Sequence, residues 1–418
     1  MGETVTPDVG AEAKRELGYS RWWQIVAAAL MMALVSPYQY VWTAIEGPLA
    51  VQVDASLTVV GFVFSVFVVV MALVQFPAGW WRDRYGPRTV TFVAGITAGG
   101  GYYALSFATE IWHVYLAYAI GSLGVGMVYT VAVNTAIKWF PDKRGLTTGI
   151  GTMAFAAGSA AFIPYVRLAI ADGALSDALA NMGVLIGLGI LVGTVVLTDP
   201  PDDWYDVIRG RARHADTTES AHRFARKQFT WREMVRTWQF WVMYYMFVAV
   251  SAAGLMITAR VILYAEQAQL TATVATIAAI ALPLASGGGR LIVGGLSDRF
   301  DRERVTAISF TICGLGTVAI VTFAGIGSGI GYILAVAVAV FFWSAQFSLF
   351  PSLVGDYYGA VHSSSNYAIV YSGKMWGGVF GGGVVAWLVG TIGWDAAFLI
   401  GATLALTAGL VGFMLRRP

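Results

Sequence analysis

The sequence predicts an all-α membrane protein: twelve transmembrane helices in two pseudo-symmetric bundles of six. Three observations carry this expectation. The chain has 418 residues, 57% hydrophobic and only 12% charged, where a soluble domain carries about 25% charge. Too little polar surface is left to face water, and lipid is the natural solvent for the rest. Twelve apolar stretches punctuate the chain, and its two halves carry related motifs at matching places.

The stretches run at roughly 22–45, 57–81, 89–108, 112–137, 146–170, 180–198, 239–265, 272–296, 305–325, 329–352, 364–390 and 394–415. Each is about 20 residues or more, enough for a helix to cross about 30 Å of hydrocarbon. The 49 glycines suit close helix packing, and the 15 tryptophans suit the lipid–water boundary. Residues 1–21 are polar and of mixed charge and read as a cytoplasmic tail rather than a signal peptide. The expected organisation is therefore tail 1–21, first bundle 22–198, cytoplasmic linker 199–238 and second bundle 239–418.

Connections alternate in charge. The segments 82–88, 138–145, 199–238 and 297–304 hold most of the Lys and Arg, whereas those around 46–56, 109–111, 266–271, 326–328 and 391–393 hold none. Such asymmetry places the basic side, and with it both termini, in the cytoplasm of a cell-membrane protein. Arg167 and Arg260 are exceptions, each expected at the outer end of its helix with its side chain reaching the interface. In the linker, Trp231, Met234, Val235 and Trp238 fall at helical spacing. They fit a short helix on the membrane surface or an extension of the seventh stretch.

The halves repeat. GWWRDRYGPR begins at Gly79 and GGLSDRFDRER at Gly294, an offset of 215 residues; Phe140-Pro141 and Phe350-Pro351 are offset by 210. Repeated halves point to a transporter whose substrate site lies between them near the midplane.

Two ionisable side chains are expected near that midplane. Arg290 lies eight residues before Asp298, and Lys374 ten residues past Ser364, depths of about 12 and 15 Å from the basic side. A charge there costs at least about 2.5–3.5 kcal/mol and ordinarily faces a cavity. Pairing with a buried acid is the alternative, and no acid is expected in a helix centre: Glu46, Asp54 and Glu110 fall in or beside outer turns. A guanidinium fork suits a carboxylate and an ammonium supplies a second compact charge, so the two together match a small dicarboxylate.

An empty site would hold two uncompensated cations, costly to enclose in low dielectric. A bound dianion would neutralise them and let the carrier occlude, which is how an exchanger behaves. A neutral Lys374 would instead suit a monocarboxylate.

The residues also exclude other classes. The single cysteine, Cys313, sits in an apolar run and rules out an internal disulfide or a Cys-based metal site. GGVFGGG (377–383) follows no strand and reads as a helix-contact surface, not a nucleotide loop. No metal cluster, nucleophile–base pair or cofactor motif stands out, and the net charge of +2 implies no nucleic-acid partner. An enzyme is therefore not expected. An anion sensor signalling through 199–238 is a remote alternative, because that segment carries no recognisable output domain.

The motif GWWRDRYGPR, with a second copy in which Asp301 replaces the usual glycine, resembles the loop signature of the major facilitator superfamily. NTAIKWFPDKRGLTTG (134–149), GGGRLIVGGLSDR (287–299) and NYAIVYSGKMWGGVFGGG (366–383) are similar to the oxalate/formate antiporter family. The resemblance implies a monomeric carrier of small carboxylates, oxalate and formate among them, whose dianion-binding arginine and lysine match Arg290 and Lys374. It also implies surrounding aromatic and amide residues at Gln39, Tyr40, Tyr129, Phe155, Trp343, Phe347 and Tyr371. Phe155 and Phe347 stand where tyrosine is expected and Tyr371 where tryptophan is, which bears on the exact substrate. For each, ordinary packing is the competing role. A further implication is a state-dependent inner latch from Asp83, Arg84, Arg88, Asp298 and Arg299, against which stands a plain topology-setting role. Proton-linked uptake of a monocarboxylate such as lactate is the competing transport mode, and the lack of an expected intramembrane acid weighs against it.

Overall fold

The computed structural model describes residues 9–140, 144–200, 229–297, 299–359 and 363–417. Twelve spanning helices run through them. In the first half, α1 is built from Trp22–Val35, Pro37–Tyr40 and Trp42–Gln52; α2 is Leu57–Tyr85, α3 Pro87–Leu105 and α4 Ile111–Trp139; α5 is built from Arg144–Ala157, Gly158–Ala160 and Phe162–Ala171, and α6 is Leu175–Val196. In the second half, α7 is Trp238–Gln267, α8 Ala272–Ser297 and α9 Arg302–Gly325; α10 is Gly329–Ser344 with Gln346–Tyr358; α11 is built from Ser363–Tyr371, Gly373–Val379, Phe380–Val384 and Val385–Ile392, and α12 is Trp394–Gly412.

Ten of these are long and apolar enough to cross a membrane as they stand, and α1 becomes an eleventh across a 50° bend. The remaining span, α3, is 19 residues long and glycine-rich. Its weak hydropathy has a packing reason. A Cβ at Gly99 would strike the Gly187 backbone, and one at Gly183 the Tyr103 backbone, so α3 and α6 touch main chain to main chain.

Helix α3 packs against α4 and α6 in the first half, and α9 against α10 and α12 in the second. The halves meet through α1 with α7, α2 with α11, and α5 with α8. Near the ends remote from the termini, Glu46 of α1 ion-pairs with Arg260 of α7, the Ile262 amide donates to Thr43 Oγ1 at 3.2 Å, and Arg167 of α5 pairs with Glu266 of α7 at 3.2 Å. Deeper, Ser65 of α2 donates to the Gly378 carbonyl of α11 at 3.1 Å.

The expectation for Arg260 is thereby corrected. Its side chain is 2% exposed and its partner Glu46 is fully buried, so it does not reach for the interface; the approach of α1 to α7 encloses it. An intramembrane acid therefore exists, but it serves Arg260 rather than Arg290. Arg167 does keep partial exposure, 16% of its side chain.

Trp231–Met234 forms a single turn with a capping box between Thr230 and Glu233. Thr237 then caps α7 through the Phe240 amide, so the turn is separate from α7 rather than an extension of it. Most of the expected linker, 201–228, lies outside the described residues. Its first residue, Asp199, is held by Arg82 at 2.7 Å and Lys138 at 2.9 Å.

Candidate carboxylate site

The site is assembled where helices break. Pro37, without an N–H, opens the short middle turn of α1, and the Tyr38 carbonyl there accepts from the Tyr118 hydroxyl at 2.9 Å. The Ser36 and Ser159 hydroxyls lie 2.6 Å apart, tying the break of α1 to that of α5. In α10 the break falls at Ala345, and in α11 at Ser372. Gln39 and Tyr40 ride on the α1 turn, Phe155 precedes the α5 break, Trp343 and Phe347 flank Ala345, and Tyr371 and Lys374 flank Ser372. Discontinuous helices at mid-depth are where transporters build ligand sites, because freed backbone and re-aimed side chains face a cavity there.

Both predicted cations are buried and close to one ring. Arg290 is 6% exposed and Lys374 2%. The Arg290 guanidinium carbon lies 4.6 Å from the Phe347 centroid and Lys374 Nζ lies 5.5 Å from it. Lys374 Nζ also lies 5.8 Å from the Tyr371 ring. Such contacts contribute about 0.5–2 kcal/mol each, more where water is excluded, so the ring offsets part of the repulsion between the charges.

Each cation is anchored by the opposite half. Lys374 Nζ donates to Gln39 Oε1 at 3.2 Å, and Arg290 Nη1 donates to the Thr152 carbonyl of α5 at 2.9 Å. Among the described residues no carboxylate pairs with either. Tyr40 shares a hydrogen bond with Ser286 of α8 at 3.0 Å and packs on Phe155 at 6.3 Å between centroids. Phe155 in turn meets Tyr129 at 5.6 Å. Phe347 contacts Trp343 at 5.8 Å and Tyr371 at 6.1 Å. The nine predicted site residues thus fall in two contact groups, one of Arg290, Lys374, Gln39, Trp343, Phe347 and Tyr371 and one of Tyr40, Phe155 and Tyr129, adjoining where Gln39 meets Tyr40 in the chain.

Several buried donors in and beside the cluster are unsatisfied. Gln39 Nε2, Arg290 Nε, Trp343 Nε1 and Gln346 Nε2 are buried donors without partners. Buried polar groups are ordinarily paired, and donors in excess around two cations suit a ligand rich in acceptor oxygens.

Sequence reasoning missed Ser286, Gln346 and Gly254. A Cβ at Gly254 of α7 would overlap the indole of Trp343, so this glycine is the seat of that ring. A buried Gln in an apolar run was a visible signal for Gln346; Ser286 and Gly254 carried none. Trp376, without a face assignable from sequence, points outward at 59% exposure and donates to Tyr244 at 3.1 Å.

Among the described latch side chains, no contact joins the two halves. Arg84 is exposed, with its guanidinium 5.7 Å from the Trp80 ring of its own helix. Arg88 donates to the Leu197 carbonyl at 3.1 Å within the first half. Arg299 is exposed. The Asp83 side chain and Asp298 lie outside the described residues.

Comparison with known proteins agrees with this architecture. The Major Facilitator Superfamily model matches residues 25–379. The oxalate:formate antiporter of Oxalobacter formigenes is 31% identical over 399 residues, 95% of this chain and 92% of that one. Monocarboxylate transporter 9 of Pongo abelii is 30% identical over 104 residues, 25% of this chain and 20% of that one. Among solved structures, a D-xylose-proton symporter superposes with a TM-score of 0.73 at 15% identity, covering 95% of this chain and 98% of that one. With the superfamily model covering most of its length and an antiporter relative aligned nearly end to end, this chain is a multi-pass membrane transporter of the major facilitator superfamily, within the oxalate/formate antiporter family.

Proposed function

We propose that the protein exchanges small carboxylates by alternating access, with Arg290 and Lys374 each holding one end of a dicarboxylate such as oxalate and a monocarboxylate such as formate as counter-substrate. One observation carries this reading: two buried cations share the Phe347 ring with no carboxylate of the chain to neutralise them among the described residues. Among the described residues, the oxygens of Gln39 and Thr152 that accept from them are neutral. A dianion supplies the missing charge and accepts from the unpartnered donors around it. Loading then lowers the cost of occlusion, and the empty carrier returns slowly.

The basic face, with both termini, lies in the cytoplasm of the cell membrane on this reading, and a single chain suffices. Arg84, Arg88 and Arg299, together with Asp83 and Asp298, engage when the inner face closes. Oxalate binding to the purified wild type and to Arg290→Ala, followed by calorimetry, tests the substrate assignment. Saturable binding is expected in the first and its loss in the second.

A second reading, proton-linked uptake of a monocarboxylate, draws on the shared segment with monocarboxylate transporter 9 and on the apolar walls given by Phe155 and Phe347. Transport that follows an imposed pH gradient and ignores internal oxalate would favour it.

A further inference from the structure

Glu46 and Arg260 stand outside the carboxylate site, yet they form the most deeply enclosed ion pair described in the protein, with side chains 0% and 2% exposed. Glu46 belongs to α1 of the first half and Arg260 to α7 of the second. They are 214 positions apart (260 less 46), against an offset of 215 between the repeated loops at Gly79 and Gly294. Acid and base thus lie within one position of equivalent places in the two repeats, and the contact joins the first helix of one half to the first helix of the other.

The surroundings are built around the contact. Arg260 Nη2 also donates to the Gly382 carbonyl of α11 at 2.9 Å, inside the π-helical turn Phe380–Val384. A Cβ at Gly61 of α2 would run into Arg260 Nη2 and crowd Ala386. Four helices, two from each half, therefore converge on one guanidinium. One helical turn before the acid, Thr43 accepts from the Ile262 amide. Just beyond lies a cavity of about 660 Å³ lined by Ala44, Pro48, Asp54 and Arg167, among others.

We propose that Glu46 and Arg260 are positioning residues of the transport cycle, forming the lock that closes the site from the face opposite the termini. Their pairing requires α1 and α7 to be together, so opening that face must pull the charges apart and hydrate them. Removing one partner leaves the other charge buried and unpaired in the closed form, which is strongly unfavourable. The closed form alone bears that cost, because in the open form either charge meets water. Single neutralisation therefore shifts the population toward opening on that face. The proposal rests on the alternating-access reading above, but not on which carboxylate is carried.

The test uses the full chain in proteoliposomes, with Cys313→Ala and a reporter Ala44→Cys, since Ala44 lines the cavity and is 1% exposed. An impermeant maleimide is added from the cavity side. Glu46→Gln and Arg260→Gln are each expected to raise the labelling rate at least fivefold and to depress exchange. The charge swap Glu46→Arg/Arg260→Glu should return labelling to within about twofold of the parent. Gly61→Ala, which crowds the Arg260 guanidinium while leaving both charges in the chain, should also raise labelling, and this variant keeps the test decisive if a charge variant fails to fold. Unchanged labelling in the neutralised variants, or a swap no better than either, would overturn the lock. Labelling that responds as expected in a protein that carries no carboxylate would leave the lock standing and sink the substrate assignment instead.

Discussion

Lys374 of α11 donates to Gln39 of α1 at 3.2 Å, so a cation of the second half is held by the first. The bond crosses the interface between the halves, which the proposed alternating access would open and close. A ligand entering the site has to share or replace it. A carboxylate variant at Gln39 would supply Lys374 with a permanent counter-ion and compete with the substrate. Gln39→Glu is therefore expected to raise the apparent KM for oxalate by about tenfold to a hundredfold, as a charge-assisted hydrogen bond contributes about 1.5–3 kcal/mol. Concentration-dependent uptake checks it, and an unchanged KM would remove Gln39 from the site.

Neutralising one cation should change the class of ligand rather than abolish binding. With Lys374→Met, Arg290 still matches one carboxylate through its planar fork. Exchange of oxalate should fall by about a hundredfold, while exchange of formate for formate should fall by less than about tenfold; the expected gap corresponds to about 1.4 kcal/mol or more. Equal loss of both would show that Lys374 supports the fold and does not read charge.

Tyr40 and Ser286 form another bridge between the halves, at 3.0 Å. Tyr40→Phe and Ser286→Ala should each change the exchange rate by about twofold to tenfold, the reach of a neutral hydrogen bond of about 0.5–1.5 kcal/mol. The double variant should lose no more than the worse single, since both remove the same bond. Additive losses in a double-mutant cycle would place the two residues in separate roles.

Gly254 seats the Trp343 indole. Gly254→Ala must displace that ring or α7, and overpacking of this kind costs about 1–3 kcal/mol. A lower thermal midpoint in detergent and a matching loss of oxalate binding are expected. Trp343→Leu in the Gly254→Ala background should recover the midpoint but not the binding.

The two central cations were legible because charge is rare in apolar stretches and its depth can be counted in residues from the basic loops. Helical spacing reaches only Tyr371, one turn from Lys374, whereas Phe347, the ring that both cations share, comes from another helix. Glu46 and Arg260 misled for a physical reason. Each is near the outer end of its helix in sequence, where a long side chain reaches water cheaply, and only the approach of α1 to α7 turns that end into interior. The breaks in α1, α5, α10 and α11 were also hidden. Pro37 hinted at one, but the Ser36–Ser159 bond that joins two of them links residues 123 positions apart. The α3 span was legible as a span despite its low hydropathy, and its glycines acquire their meaning only against those of α6.

Whether the two buried cations carry a dianion by exchange is decided by uptake of labelled oxalate into proteoliposomes loaded with oxalate, with formate or with no anion. Rapid uptake is expected only with an internal carboxylate, and it should be lost in both Arg290→Ala and Lys374→Ala. Uptake that proceeds into empty vesicles at the same rate, or that survives Arg290→Ala, would contradict exchange on the two cations.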